Sequence, residues 1–189
     1  MGERELVRER AREPEALDLY EELFRLMNAC LARAHTRVVI KAKDLPWEQS
    51  RQGLIKWYVH PSRKDQPLGN FLFFVQDIRT HTGRHRHQGG FGLFVVEGKG
   101  YTTIDGTRVD WEEGDLVLLP IKANGVEHQH FNREPGKPCK WLAFAVIPYL
   151  EAMGFEFVQI ETSPDWRKRE PEYTPERGHS HEPGEAQHH

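Results

Sequence analysis

The chain has 189 residues, 38% of them hydrophobic and 11% aromatic, with 29 acidic against 26 basic side chains and a formal net charge of −3. That length sets an expectation of one domain with a sizeable core, and the charge balance excludes a general attraction to nucleic acid. With no apolar run of the ~18 residues a membrane span needs and no charged-then-apolar leader, the expectation is a cytoplasmic protein without membrane or nucleic-acid partners.

Residues 1–13 form a charge run, read as a solvated start. From Pro14 to about Thr36 the apolar residues Leu17, Tyr20, Phe24, Met27 and Leu31 recur at helical spacing. This predicts a helix with one face packed on the domain, a subunit interface being the second reading. Cys30 and Cys139 are far apart and read as free thiols. Trp57, Tyr58, Phe71, Phe73 and Phe74 read mainly as core strand residues, an aromatic substrate-binding wall being the second reading. His81 fits either a pocket mouth or a surface turn.

The first histidine cluster is His85-Arg86-His87. Residues i and i+2 of a strand share a face, so both imidazoles can meet one point. Gln88-Gly89-Gly90 then makes a corner, and Phe91 to Val96 is a strand ending at Glu97-Gly98-Lys99-Gly100, where Glu97 is expected to be solvated. Tyr101 to Ile104 and Thr107 to Trp111 flank Asp105-Gly106, a hairpin signal. After Glu113-Gly114-Asp115, Leu116 to Leu119 reads as a buried strand stopped by Pro120. The second cluster is His128-Gln129-His130-Phe131-Asn132. Beyond Ile160 the chain turns polar and proline-rich, predicting a tail without fixed structure whose His179, His181, His188 and His189 have no catalytic role, adventitious metal binding being the second reading.

Short strands broken by turns argue for a sandwich or barrel. A second strand carrying His128 beside His85 and His87 would complete a three-imidazole centre, which suits iron, copper, nickel or zinc and leaves positions open. A nucleophilic hydrolase finds no support, since there is no G-x-S-x-G and no cysteine beside a histidine motif.

The stretch GRHRHQGGFGLFVVEGKGYTTIDG, followed by GDLVLLP and HQHFN, resembles the two motifs of the cupin superfamily. Within it the chain is most similar to the gentisate 1,2-dioxygenase and salicylate dioxygenase group, here in single-cupin form, whose first motif reads HRH then EGxGxxTxxDG and whose second reads GD, TP and HxHxN. Leu45-Pro46-Trp47 and the segment Trp141-Leu142 to Ile147-Pro148 extend the resemblance, which covers roughly residues 45 to 150. It implies an all-β fold, the cupin double-stranded β-helix or jelly-roll barrel with an N-terminal α-helix. The division expected is an arm and helix over 1–36, a cupin barrel over 37–163 and a polar tail over 164–189.

Carried over by position, the resemblance makes His85, His87 and His128 the ligands of Fe(II), with Zn, Ni or Mn as other candidates, and His130 a proton-handling or hydrogen-bonding group facing the substrate, expected as the catalytic general base for a substrate hydroxyl. Asn132 would hold the ligand strand from behind. Many cupins add a glutamate ligand where this chain has Phe91, so three histidines are expected to suffice. Phe91, Leu93 and Trp141 would line the substrate pocket. The group's carboxylate-binding arginine falls on Leu93, and the aspartates of its WLDGLDIP segment fall on Ala143 and Val146. The expected activity is therefore O2-dependent cleavage of a carbon–carbon bond in a phenolic, enolic or hydroxy-ketone substrate, in a homodimer or larger homo-oligomer. The alternatives are a non-oxidative metal-dependent isomerase or lyase and a non-catalytic small-molecule-binding cupin.

Overall fold

The structure is a computed structural model that describes residues 18–166. The initial charge run and the tail histidines lie outside the described residues. The helix α1 (Leu19–Ala32) comes first. Eleven strands follow: β1 (Glu48–Ser50), β2 (Gly53–Val59), β3 (Phe71–Asp77), β4 (Arg84–His87), β5 (Gly92–Glu97), β6 (Lys99–Ile104), β7 (Thr107–Glu112), β8 (Leu116–Leu118), β9 (Val126–Asn132), β10 (Lys140–Val146) and β11 (Val158–Glu161). A short helix, α2 (Ile147–Ala152), precedes the last of them and starts with Pro148 in its first turn, where a missing N–H costs nothing.

The strands form two antiparallel sheets, ordered β1-β2-β3-β10-β5-β8 and β11-β4-β9-β6-β7, that share one core without closing into a continuous barrel. Strand alternation explains the sharing. Leu93 and Val95 of β5 and Trp141, Ala143 and Ala145 of β10 are buried, while their neighbours Phe94, Val96, Phe144 and Val146 lie on the outer face. Trp111 of β7 enters the same core from the other sheet. Burying one indole removes ~150–250 Å² from water, several kcal/mol at ~25 cal/mol per Å², which makes the two tryptophans central to the packing.

The Asp105-Gly106 hairpin forms as expected. Both residues have positive φ, 49° and 83°, the twist a two-residue turn requires to match its strands. Two expectations fail. Leu116–Leu119 is not a buried strand: Leu116 and Leu118 are 52% and 64% exposed, because β8 is the sheet's edge and its continuous apolar run hides an alternation of inner and outer faces. Nor does α1 pack its apolar face on the sheets. Leu19, Leu23, Met27 and Leu31 are all more than half exposed. Helical spacing shows which face is apolar but not what covers it.

Candidate metal centre and its cavity

The two histidine clusters meet because β4 and β9 are hydrogen-bonded neighbours, with His85 directly opposite His128. His87 lies two residues along on the same face. The candidate ligand atoms of His85, His87 and His128 all fall within 4.8 Å of one another. On the opposite face, Arg84 pairs with Glu127 of β9 at 2.9 Å and Glu161 of β11 at 2.5 Å, tying three strands together behind the ligands.

Each of these imidazoles turns Nδ1 toward a backbone carbonyl: His85 to Gly83 at a long 3.4 Å, His87 to Gln88 at 2.6 Å and His128 to Val126 at 3.1 Å. A carbonyl only accepts, so Nδ1 carries the proton and Nε2 is left with its lone pair. Burial depresses the basicity of all three: His85 falls to about 3, with the neighbouring His87 and His130 adding to the effect, His87 is lowered, and His128 lies well below the ordinary histidine value. Neutral imidazoles with an unprotonated nitrogen are the state a divalent ion requires, and with one candidate nitrogen from each ring within 4.8 Å of the others the residues present fit a three-histidine metal.

His130 is also buried, two residues along β9, but does not join this group. Its Nδ1 lies 2.8 Å from the hydroxyl of Thr102, its cross-strand partner on β6. The indole Nε1–H of Trp111 donates to the same hydroxyl at 2.9 Å. Trp111 reaches this far because Gly100 lies beneath it: a Cβ there would stand 2.1 Å from the indole and 2.4 Å from the carbonyl of Phe131.

Over the triad opens a cavity of about 380 Å³. The six-stranded sheet supplies its wall through Ile55, Trp57, Leu72, Phe74, Leu93 and Trp141, while Phe155 and Phe157 close the histidine side. Phe157 stacks on His85 at a centroid distance of 4.9 Å. Besides the histidines, Ser50, Arg51, Gln52, Gln76 and Gln159 are the polar contributors from the loops and strands nearby.

Residues 73–145 match the cupin domain family. The chain carries a cupin domain. It is related to the gentisate dioxygenase group. A gentisate 1,2-dioxygenase from a Streptomyces sp is 42% identical over 80 residues, covering 42% of this chain and 22% of that one. Another, from a Ralstonia sp, is 38% identical over 72 residues, covering 36% and 19%. The match thus spans about a fifth of the length of these relatives. Among solved structures, the chain is similar to a salicylate 1,2-dioxygenase from Pseudoaminobacter salicylatoxidans, at 18% identity, 80% and 50% coverage and a TM-score of 0.49. A cupin-like protein from Thermotoga maritima aligns at 20% identity, 61% and 88% coverage and a TM-score of 0.46. The family assignment rests on the sequence matches.

Within this cupin domain, Phe91, Leu93 and Trp141 line the cavity together with all four histidines. Asn132 does not touch the triad; its amide donates to the carbonyls of Ile78 and Lys137 and its Oδ1 accepts from the N–H of Glu134, pinning the far end of β9. His81 lies outside the cavity, its Nδ1 against the Thr82 carbonyl. Glu97 pairs with Lys140 on the surface at 2.6 Å. Cys139 is buried and free, its thiol pushed up to about 12 by desolvation, so it is no nucleophile at neutral pH.

Trp57 and Phe74, expected mainly as core with an aromatic wall as the second reading, are wall residues, and the cavity also takes in Arg51, Gln76, Phe155 and Phe157, which the expectations from sequence do not include. The alternation in Phe155-Glu156-Phe157 just before β11 was the available signal for the last two. Thr102 had none, since its role depends on a partner 28 residues away.

Proposed function

We propose that this cupin domain is a non-haem iron dioxygenase acting on a planar phenolic, enolic or hydroxy-ketone substrate. The observation that carries the reading is the pairing of a three-histidine centre without a carboxylate with an apolar, aromatic-walled cavity directly above it. The relatives named gentisate 1,2-dioxygenase support the reaction class. A ferrous ion held by His85, His87 and His128 would supply the Lewis acidity and the redox path by which electrons from the bound substrate reach dioxygen.

The chain's own residues do the rest. Trp57, Phe74 and Trp141 present flat apolar surface to a ring or enol, and Phe155 and Phe157 keep water from the histidines. Leu93 occupies the wall where the gentisate group's arginine is expected, so a ring carboxylate would lie in an apolar pocket without a bidentate partner, at a cost of several kcal/mol. Neutral phenols, enols and ketones are therefore the better substrates. Lys56 does not substitute for the missing cation, since its Nζ sits over Trp47, 4.7 Å from the ring. Arg86 reaches instead to the carbonyl of Asn124 at 3.0 Å. Among the described cavity residues Arg51 is the cation besides histidine, and efficient gentisate turnover would implicate it.

Oxygen uptake by the ferrous-loaded protein against a panel of aromatic diols, diketones, gentisate and salicylate tests the proposal. Uptake with the neutral members and product incorporation of both oxygen atoms are expected; no uptake with any member, alongside substrate loss under zinc, would replace it with a redox-neutral isomerase or lyase.

A further inference from the structure

We infer that Thr102 and Trp111 lock His130 as a hydrogen-bond donor, with its proton fixed on Nε2, so the cavity takes a ligand that offers an accepting oxygen at that point. His130 is then not a base. The argument is a count of donors and acceptors around one buried hydroxyl. Thr102 is fully buried, and its hydroxyl meets two nitrogens, Trp111 Nε1 at 2.9 Å and His130 Nδ1 at 2.8 Å.

An indole N–H can only donate, so it occupies one lone pair of the hydroxyl oxygen. The hydroxyl proton then needs an acceptor, and His130 Nδ1 is the one within reach among the described residues. Were Nδ1 protonated instead, two N–H groups would converge on one oxygen and leave a buried O–H without a partner, its desolvation uncompensated. The satisfied arrangement therefore runs Trp111 N–H to Thr102 oxygen, and Thr102 O–H to His130 Nδ1. An imidazole that accepts at Nδ1 while neutral carries its hydrogen on Nε2. The ring of His130 lines the cavity, so that hydrogen is the one left for a bound molecule.

His128 supplies the contrast. It sits on the same strand with the same parity, yet its Nδ1 faces a carbonyl, which forces the opposite tautomer and frees Nε2 to bind a cation. One strand thus presents a ligand and a donor two residues apart, and the difference is whether a carbonyl or a hydroxyl stands behind the ring. The matching ligand carries an accepting oxygen beside the one that meets the metal: a ketone carbonyl, an enolate or a phenolate. That ligand class rests on the dioxygenase reading above, whereas the tautomer assignment does not.

Long-range 1H–15N correlation spectra of the full chain labelled at histidine nitrogen read the tautomer directly, with or without metal. His130 should show a bare Nδ1 and a protonated Nε2, the reverse of His85, His87 and His128. Thr102→Ser should preserve that pattern, and Thr102→Val should convert His130 to a tautomer mixture. A protonated Nδ1 on His130 in the unaltered protein, or a pattern unchanged in Thr102→Val, would overturn the lock. For the ligand, 4-nitrocatechol is titrated into zinc-loaded protein, where no oxidation interferes. His130→Gln keeps an N–H in place and should bind within about threefold of wild type, while His130→Leu should bind about tenfold or more weakly, as for a lost hydrogen bond of about 1.4 kcal/mol. Equal weakening in both variants would overturn the donor role. Failure of the unaltered zinc protein to bind the probe would overturn the ligand class and the dioxygenase reading with it, leaving the tautomer result to stand or fall on its spectra.

Discussion

The two sheets face one cavity and contribute to it differently. The five-stranded sheet brings His85, His87, His128 and His130, and the six-stranded sheet brings Ile55, Trp57, Leu72, Phe74, Leu93 and Trp141. Reactive groups come from one side and shape from the other. Such a division lets substrate preference change by substitution on the apolar sheet while the ion-binding geometry, fixed by cross-strand register on the other, stays as it is.

The strongest way to break this comparison is to remove a ligand. Replacing His85, His87 or His128 by Ala should cost most of the bound metal, measured by elemental analysis after dialysis, whereas His130→Ala should retain it and lose turnover. Metal retained without His128 and lost without His130 would mean the second cluster had been read the wrong way round. Next in size is a pH effect confined to the histidine sheet. In metal-free protein the folded state holds His85 neutral down to about 3, while the unfolded chain takes up a proton near 6.5. Between those values the unfolded state binds more protons, so stability is complete above about pH 6.5 and is lost as pH falls toward 3, at up to ~1.4 kcal/mol per unit for each such imidazole. Urea midpoints with chelator present should drop between about pH 7.5 and about pH 4.5 and recover when zinc is added.

How much of this was legible in the sequence follows the same divide. The histidines were readable because strand parity writes shared faces as i and i+2, and a short chain segment holds each pair. The apolar wall was readable at Phe91, Leu93 and Trp141, where a family motif passes, and only as a second reading at Trp57 and Phe74, since an aromatic residue in a strand looks the same whether it lines a core or a cavity. Thr102 was invisible because a cross-strand hydrogen bond depends on register, which no local pattern specifies.

A smaller test moves charge to the wrong side. Leu93→Arg places a guanidinium in the apolar wall and should tighten binding of gentisate or salicylate by about tenfold or more, in line with ~1.5–3 kcal/mol for a charged hydrogen bond. Calorimetric titration of the zinc form checks it, and an unchanged affinity would show that the wall does not meet the carboxylate. The smallest effect belongs to α1, outside both sheets. Leu23 and Met27 are 52% and 57% exposed, so changing both to Gln should shift unfolding free energy by no more than about 0.5 kcal/mol. A larger drop in thermal melting would mean that the helix is covered after all.

Gly100 never meets the cavity, yet it sets terms for what can vary around it. A side chain there would collide with Trp111; without that indole the Thr102 hydroxyl loses its donor, and the proton of His130 is no longer fixed. Four positions on three adjacent strands are therefore expected to change together or not at all: Gly100, Thr102, Trp111 and His130. Among related chains, a larger residue at the first should be accompanied by a smaller one at the third and by a different group at the fourth. The inheritance of a single hydrogen atom on an imidazole would then be written in the absence of a methyl group one strand away.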